Sequence, residues 1–311
     1  MAFDVSALTA YTDQSSTDLL TAVQFKSETA ALAGLQAGIK SAATLQLLAT
    51  NSVPQDGSSC AFNASGSVTF TQRTLTTYAI KFQDTLCIRT LEAYWTQLLL
   101  KKGQNYTESD IPAKIMDNIV GGIKQRLETA DWQGDTTSVS SYLNRYDGLI
   151  KIINNASGVV TATASTYNST NARTIVANIV NNIPAQLKGN PAIKIYMGYD
   201  AAEIYRQKLM NDNLYHVPAG SSDQEGMYAE GSVHQIVPVH GLDGMYSQSG
   251  KSCIFALNIA ENAFLGCDML NEEEDALMGL DQYKENVWYS FRFRRGWQVA
   301  YPTEIVKYAN S

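Results

Sequence analysis

The chain has 311 residues, 45% of them hydrophobic, which is enough for a sizeable core in one large domain or two smaller ones. Only 17% are charged, against about a quarter in an average soluble protein, and a chain that buries surface against neighbours needs fewer solvating charges. The net charge of −7 excludes a protein that condenses nucleic acid with a basic face.

The start, MAFDVSALTA, has neither a basic n-region nor an apolar h-region. No apolar run is long enough to span a bilayer. The sequence therefore predicts a protein made and kept in a cytoplasm, with no membrane partner. Cys60, Cys87, Cys253 and Cys267 show no CxxC spacing. That argues against zinc, and in a reducing compartment they read as four small hydrophobic residues.

Taken in chain order, residues 1–50 read as an arm. Helical character over 15–39 is carried by Leu19, Leu20, Val23, Ala30 and Leu35 and weakened by Gly34 and Gly38. A short apolar stretch then runs into the turn cluster VPQDGSS. Residues 60–87 read as a two-stranded ribbon, with Val68 and Phe70 on one limb, Tyr78, Ile80 and Phe82 on the other, and Thr-rich TQRTLTT between them. An isolated ribbon is marginal in water and has to lie on something.

Helical spacing returns at 88–103 and is clearest at 109–131. There Ile111, Ile115, Ile119, Ile123 and Leu127 form one stripe, with Ser109 as N-cap and Pro112 in the first turn. Beyond WQGD the sequence predicts a strand in VVTATAST, a helix over 171–187, a strand in AIKIYMG, and a helix capped by Asp200 and ending near Met210. A polar loop at 213–232 leads to an edge strand, VHQIVPVHG, and two apolar strands, SCIFALNIA and AFLGCDML. The end predicts a hairpin: VWYSFRFRR outward, Gly296 as the turn, and WQVAYP back. The class is α+β, with no internal repeat.

Reactive chemistry is sparse. There is no GxSxG, HExxH or Walker loop. His234 and His240, six apart on an expected strand, offer a weak metal pair. Asp131 and Asp135 place two carboxylates around WQGD, where a structural turn is the better reading. The acidic run Glu272 to Asp275 lacks calcium-loop spacing. Arg292, Arg294, Arg295 and Lys307 are the one basic concentration, suited to a phosphate, an acidic partner or plain solvation. The sequence thus predicts no enzyme, no catalytic or metal residues and no cofactor.

Several stretches stand in a recognisable order: Cys60-Ala61-Phe62, VTFTQR, Leu86-Cys87 followed by RTLEAYW, WQGD after the long helix, YDGLIKII, and VWYSFRFRRGWQVAYPTEIV. Over about two-thirds of its length the chain resembles major capsid proteins of tailed phages with the Hong Kong 97-like fold. The detailed resemblance is to those of Bacteroidota-infecting and crAss-like phages. The family pattern places Pro-Lys after the second cysteine, where this chain has Ile88-Arg89.

The resemblance implies an N-terminal arm (1–50), an extended loop (51–104), a peripheral domain (105–188 and 284–311, spine helix 109–131) and an axial domain (189–283). It implies a structural protein that self-assembles, as hexamers and pentamers, into an icosahedral head. That head encloses double-stranded DNA without sequence-specific binding and is assembled in the cytoplasm of a bacterial host. Portal, decoration and head proteins are implied partners. The absence of a long N-terminal scaffolding segment implies a separate scaffold or a different assembly route.

Expected assembly contacts are Arg73, near the ribbon tip against a neighbour's acidic surface, with Phe70, Tyr78, Arg292 and Arg294. Cys60 and Cys87, at opposite ends of the ribbon's limbs, are a candidate disulfide pair after lysis. An encapsulin-like nanocompartment shell shares the implied fold. A cytoplasmic α+β enzyme is the alternative from another class.

Overall fold

A computed structural model describes residues 28–58, 60, 65–87, 111–212, 227–268, 277–281 and 286–311. The helical reading of 15–27 and of 88–103, the Ser109 cap and the acidic run at 272–275 lie outside these residues. Helices and strands alternate irregularly, as the α+β reading expects.

One short helix, α1 (Glu28–Leu32), precedes β1 (Gly34–Gln36) and β2 (Ala42–Asn51). Then come β3 (Ser67–Thr76) and β4 (Tyr78–Cys87). The long helix α2 (Ile111–Gln133) has 23 residues, about 35 Å at ~1.5 Å per residue. Ile123 and Leu127 of its predicted stripe are buried, and Ile119 packs at the core's margin. Helix α3 (Leu149–Asn155), β5 (Val160–Thr161) and α4 (Ala172–Asn182) follow. Next are β6 (Lys194–Met197), α5 (Tyr199–Asn211), β7 (Ile236–Pro238) and β8 (Ser252–Leu257). A single turn, α6 (Ile259–Asn262), leads to β9 (Ala263–Cys267), β10 (Leu277–Asp281), β11 (Asn286–Val299) and β12 (Val306–Ala309).

Two five-stranded sheets carry the fold. In the first, the 14-residue β11 is central. β4 lies antiparallel along one edge, from Tyr78 opposite Arg295 to Cys87 opposite Asn286. β10 and β9 share the other edge, and β1 runs parallel beside β9. The second sheet has the order β5-β12-β8-β6-β7. Its β8, SCIFAL, is buried at every position, as a strand covered on both faces must be. β7 holds the edge, where Pro238 withholds no needed donor.

Two expected hairpins are not formed. β3 pairs with β2, from Ala42 opposite Thr76 to Asn51 opposite Ser67, while β4 pairs with β11. The ribbon is therefore 42–76, and the described residues at its tip include the turn-rich stretch 53–58. TQRTLTT contains no residue suited to a tight turn, whereas Asp56-Gly57 does, and Asp56 accepts from the Ser58 N–H at 2.9 Å in a local turn. Strands β1 (Gly34–Gln36) and β2 (Ala42–Asn51) lie in the stretch read as an arm.

Nor does Gly296 turn the chain. β11 runs straight through it, and the core-facing alternation Phe291, Phe293, Arg295, Trp297, Val299 stays in phase from end to end. β12 belongs to the other sheet. It lies inside the second sheet between β5 and β8, so that sheet draws on residues 160–161, 194–197, 236–238, 252–257 and 306–309.

Candidate assembly surface and the buried node behind it

The ribbon is solid at one end and bare at the other. At its root, Ile39, Leu45 and Leu75 form a small core of their own, with Ala43 and Phe264 against it. Thr77, between β3 and β4, is buried. Its N–H donates to the Ser41 carbonyl at 2.8 Å and its hydroxyl to the Ile39 carbonyl at 3.0 Å. The root crosses the first sheet over two glycines that face each other in register, Gly266 of β9 and Gly296 of β11. A methyl group on Gly296 would overlap the Thr76 carbonyl; one on Gly266 would stand 2.9 Å from Thr77 Cγ2. Close backbone approach, not a turn, requires glycine at 296.

Farther out, one ribbon face carries the opposed pair Leu48 and Phe70, with Val68 one rung on. These are 51%, 73% and 63% exposed. Three large apolar side chains thus stand together on a two-stranded sheet, with no described residue packed behind them, the kind of surface that suits a partner.

The root is tied to the rest of the molecule through a buried polar node. Asp131, in the last turn of α2, is fully buried and receives a two-pronged ion pair from Arg295, whose Nε lies 2.8 Å from Oδ1. Tyr146 Oη and Trp297 Nε1 each donate to Oδ1 at 2.7 Å. Burial alone would lower the Arg295 pKa, but the charge and hydrogen bonds of Asp131 outweigh it and raise it. Burial, then the Asp131 charge, push the Tyr146 phenol well up. The Arg295 fork, the Tyr146 hydroxyl and the Trp297 indole all donate to the one buried carboxylate, the kind of added hydrogen bonding a buried ion pair needs.

Next in the chain, Trp132 stacks obliquely on Phe255 at 5.6 Å and Tyr196 at 6.1 Å in the second sheet. Gly134 and Gly148 let the two ends of the intervening loop touch, through a Gly148 N–H to Gly134 carbonyl bond of 2.8 Å. Here WQGD, YDGL and FRRGW meet.

Asp135 is not part of this node. It sits on the surface, where Lys151 Nζ lies 2.8 Å from both Asp135 and Asp147. Its pKa is held down at about 2 by the hydrogen bond from Lys151, then those from Thr137. The Asp131 and Asp135 carboxylates therefore have separate partners and do not act as an acid–base pair.

The predicted contact residues are dispersed. Phe70 and Tyr78 are exposed, on β3 and at the start of β4. Arg73 lies opposite Leu45 nearer the root than the tip, half-buried, and burial lowers its pKa. Arg292 is exposed on β11; Arg294 is half-buried, 3.8 Å from Asp268. Arg295 faces the core and Lys307 lies on the other sheet, reaching Asn154 at 3.1 Å, so the basic concentration is no single patch.

Cys60 is free and exposed near the ribbon tip, and Cys253 and Cys267 are buried. Cys87 ends β4 beside Asn286. Because β3 and β4 do not pair, the hairpin geometry behind a Cys60–Cys87 bond is absent. The two histidines also part: His234 is buried against the Ile193 carbonyl, while His240 is exposed in a turn with Asp243. Among the described residues no His, Cys, Asp and Glu group could hold a metal ion, and no helix is long and apolar enough to cross a membrane.

No family model and no curated protein matches the chain. Solved structures do. The capsid of a native GTA particle matches with a TM-score of 0.60 at 13% identity, covering 93% of this chain and 90% of that one. A chain of the satellite phage P4 procapsid including size determination (Sid) protein gives 0.64 at 10%, covering 97% and 95%. A chain of Gordonia phage Cozz gives 0.57 at 11%, covering 92% and 86%. The mixed helix-and-sheet fold is that of phage capsid chains.

Proposed function

We propose that this chain is the major capsid protein of a tailed phage, a structural protein that assembles with copies of itself into an icosahedral shell around double-stranded DNA. The observation that carries the reading is the ribbon. Its root is built into the core, and its outer half presents Leu48, Val68 and Phe70, exposed and with none of the described residues packed over them. A neighbouring subunit is the natural cover. The capsid fold shared over nine-tenths of the chain supports the same reading.

The finer assignments belong to this proposal. The fold is of the Hong Kong 97 type, and the chain is related to capsid proteins of Bacteroidota-infecting phages. α2 is the spine helix, 42–76 forms the extended loop, the β11 sheet belongs to the peripheral domain, and the β8 sheet, with β5 and β12 included, to the axial domain. Hexamers and pentamers, a scaffold, a portal and decoration proteins are the expected partners. The place of assembly is a bacterial cytoplasm and the final location the virion. Binding energy summed over many weak contacts would resist the pressure of packaged DNA. Arg73, Tyr78, Arg292 and Arg294 are assigned to subunit contacts alongside Phe70. Cys60 and Cys87 are assigned as the candidate disulfide pair, formed only after lysis.

Negative-stain microscopy of the purified chain, alone and coexpressed with its scaffold, tests the reading. Closed shells of uniform size are expected. A stable monomer of 34.0 kDa under both conditions would sink it, and shells filled with protein cargo rather than DNA would favour a nanocompartment.

A further inference from the structure

The middle of the first sheet sets two positive side chains against each other. Lys81 of β4 lies directly opposite Arg292 of β11, and both are exposed. Directly opposed residues share a face, about 5 Å apart at their bases, and like charges in that position destabilise the strand pair. Arg294, two residues on, stands half-buried on the same face. On the reverse face Phe82 and Phe293 stack at 5.8 Å, which fixes the register and keeps the two cations opposed. Among the described residues no carboxylate pairs with Lys81.

A like-charged pair of the opposite sign stands at the far end of the same sheet. Asn262 and Tyr301 clamp α6 to the turn Pro302–Glu304. Asn262 Nδ2 donates to the Tyr301 carbonyl at 2.8 Å, and the Tyr301 N–H donates to Asn262 Oδ1 at 2.7 Å. The clamp brings the exposed Glu261 beside the half-buried Glu304. Burial, and then the Glu261 charge, push the Glu304 pKa up. Neither pairs with a cation among the described residues, whereas Asp135, Asp147, Glu203, Asp212 and Glu230 each do.

We propose that the basic rung Lys81–Arg292 of one copy docks on the acidic pair Glu261–Glu304 of the next. This rests on the shell reading and names two surfaces that meet in the shell. Within one chain they stay apart. Ala263, two residues from Glu261, pairs with Val299, seven residues along β11 from Arg292, a separation of about 23 Å at ~3.3 Å per residue. Each pair destabilises the isolated chain, and each is relieved by the charge of the other. The partner's sign follows from the chain itself: with a net charge of −7, a basic face is drawn to the surface of another copy. Because the two surfaces differ, the contact is head-to-tail, the kind that closes into rings.

A charge swap tests this, with sedimentation of the full-length chain under the conditions in which the wild type assembles. Lys81→Glu alone and Glu261→Lys alone should each raise the protein concentration needed for assembly on the order of tenfold. The double variant, with both changes, should recover most of that loss. Lys81→Gln, a milder change at the same exposed site, should weaken assembly less and in the same direction. The denaturant midpoint of unassembled Lys81→Glu should hold or rise, since a carboxylate then faces Arg292. Single variants that assemble like the wild type overturn the proposal, and so does a double variant no better than the singles. A rung that met a DNA backbone instead would leave Glu261→Lys without effect, which also overturns it. A wild-type chain that stays monomeric sinks the shell reading and this contact together, whereas a failed swap in an assembling chain sinks this contact alone.

Discussion

Asp131 and Trp132 are adjacent in the chain and serve different sheets. The carboxylate grips Arg295 on the central strand of the first sheet, and the indole packs on Phe255 and Tyr196 of the second. The last turn of α2 is therefore the joint between the two halves of the core. Removing either charge should be severe. Arg295→Met is expected to cost about 3–5 kcal/mol in urea unfolding, because it leaves a buried carboxylate. A loss under 1 kcal/mol would show that the joint rests on apolar packing alone.

The ribbon face separates folding from association. Phe70→Ser should leave thermal unfolding of the unassembled chain within about 0.5 kcal/mol, since the ring is 73% exposed. In sedimentation, the same variant should assemble far less. A collapse in stability instead would place Phe70 in the chain's own core.

Two glycine substitutions should act in opposite senses. Gly296→Ala pushes a methyl into the Thr76 carbonyl and displaces the ribbon root, at about 1–3 kcal/mol or more. Gly121→Ala meets nothing within 4 Å in the middle of α2 and should stabilise by roughly 0.5–1 kcal/mol. Denaturant midpoints for the pair check both signs.

Asp135 makes a pH prediction. Its pKa is held at about 2 in the folded chain, below the ordinary 3.8, chiefly by Lys151. The stability it adds is present above pH 3.8 and lost as pH falls through about 2. Its side chain is 41% exposed, so solvent screening keeps the contribution under about 1 kcal/mol. Asp135→Asn should lower neutral stability slightly and flatten the acid limb of the pH–stability curve between 4 and 2. An acid limb identical to wild type would assign the acid sensitivity to other carboxylates.

Much of the fold was legible because its elements follow simple periods. The isoleucine stripe of α2, the apolar run of β8 and the alternation in VWYSFRFRR all read directly from residue spacing. What misled was punctuation. Gly296 reads as a turn, yet a bare backbone there serves a crossing strand that only tertiary structure brings near. Continuing the alternation past it would have put Arg295 between Phe293 and Trp297 on the core face, and so demanded a buried carboxylate. Asp131, a negative charge in the last turn of α2 where the helix dipole disfavours one, is that partner. The ribbon was misplaced for a related reason. Extended, Thr-rich sequence does not say which strand it pairs with, and the nearest one in sequence was not the partner.

β12 has a consequence for synthesis. It is an interior strand, between β5 and β8, and is made of residues 306–309. Arg295 and Trp297, which close the node around Asp131, are also translated late. A nascent chain can form α2 and the ribbon early, but neither sheet can close until these residues leave the ribosome, because both wait on contacts spanning most of the sequence. Until then the ribbon root has no finished sheet to cross, and the two halves of the core complete together.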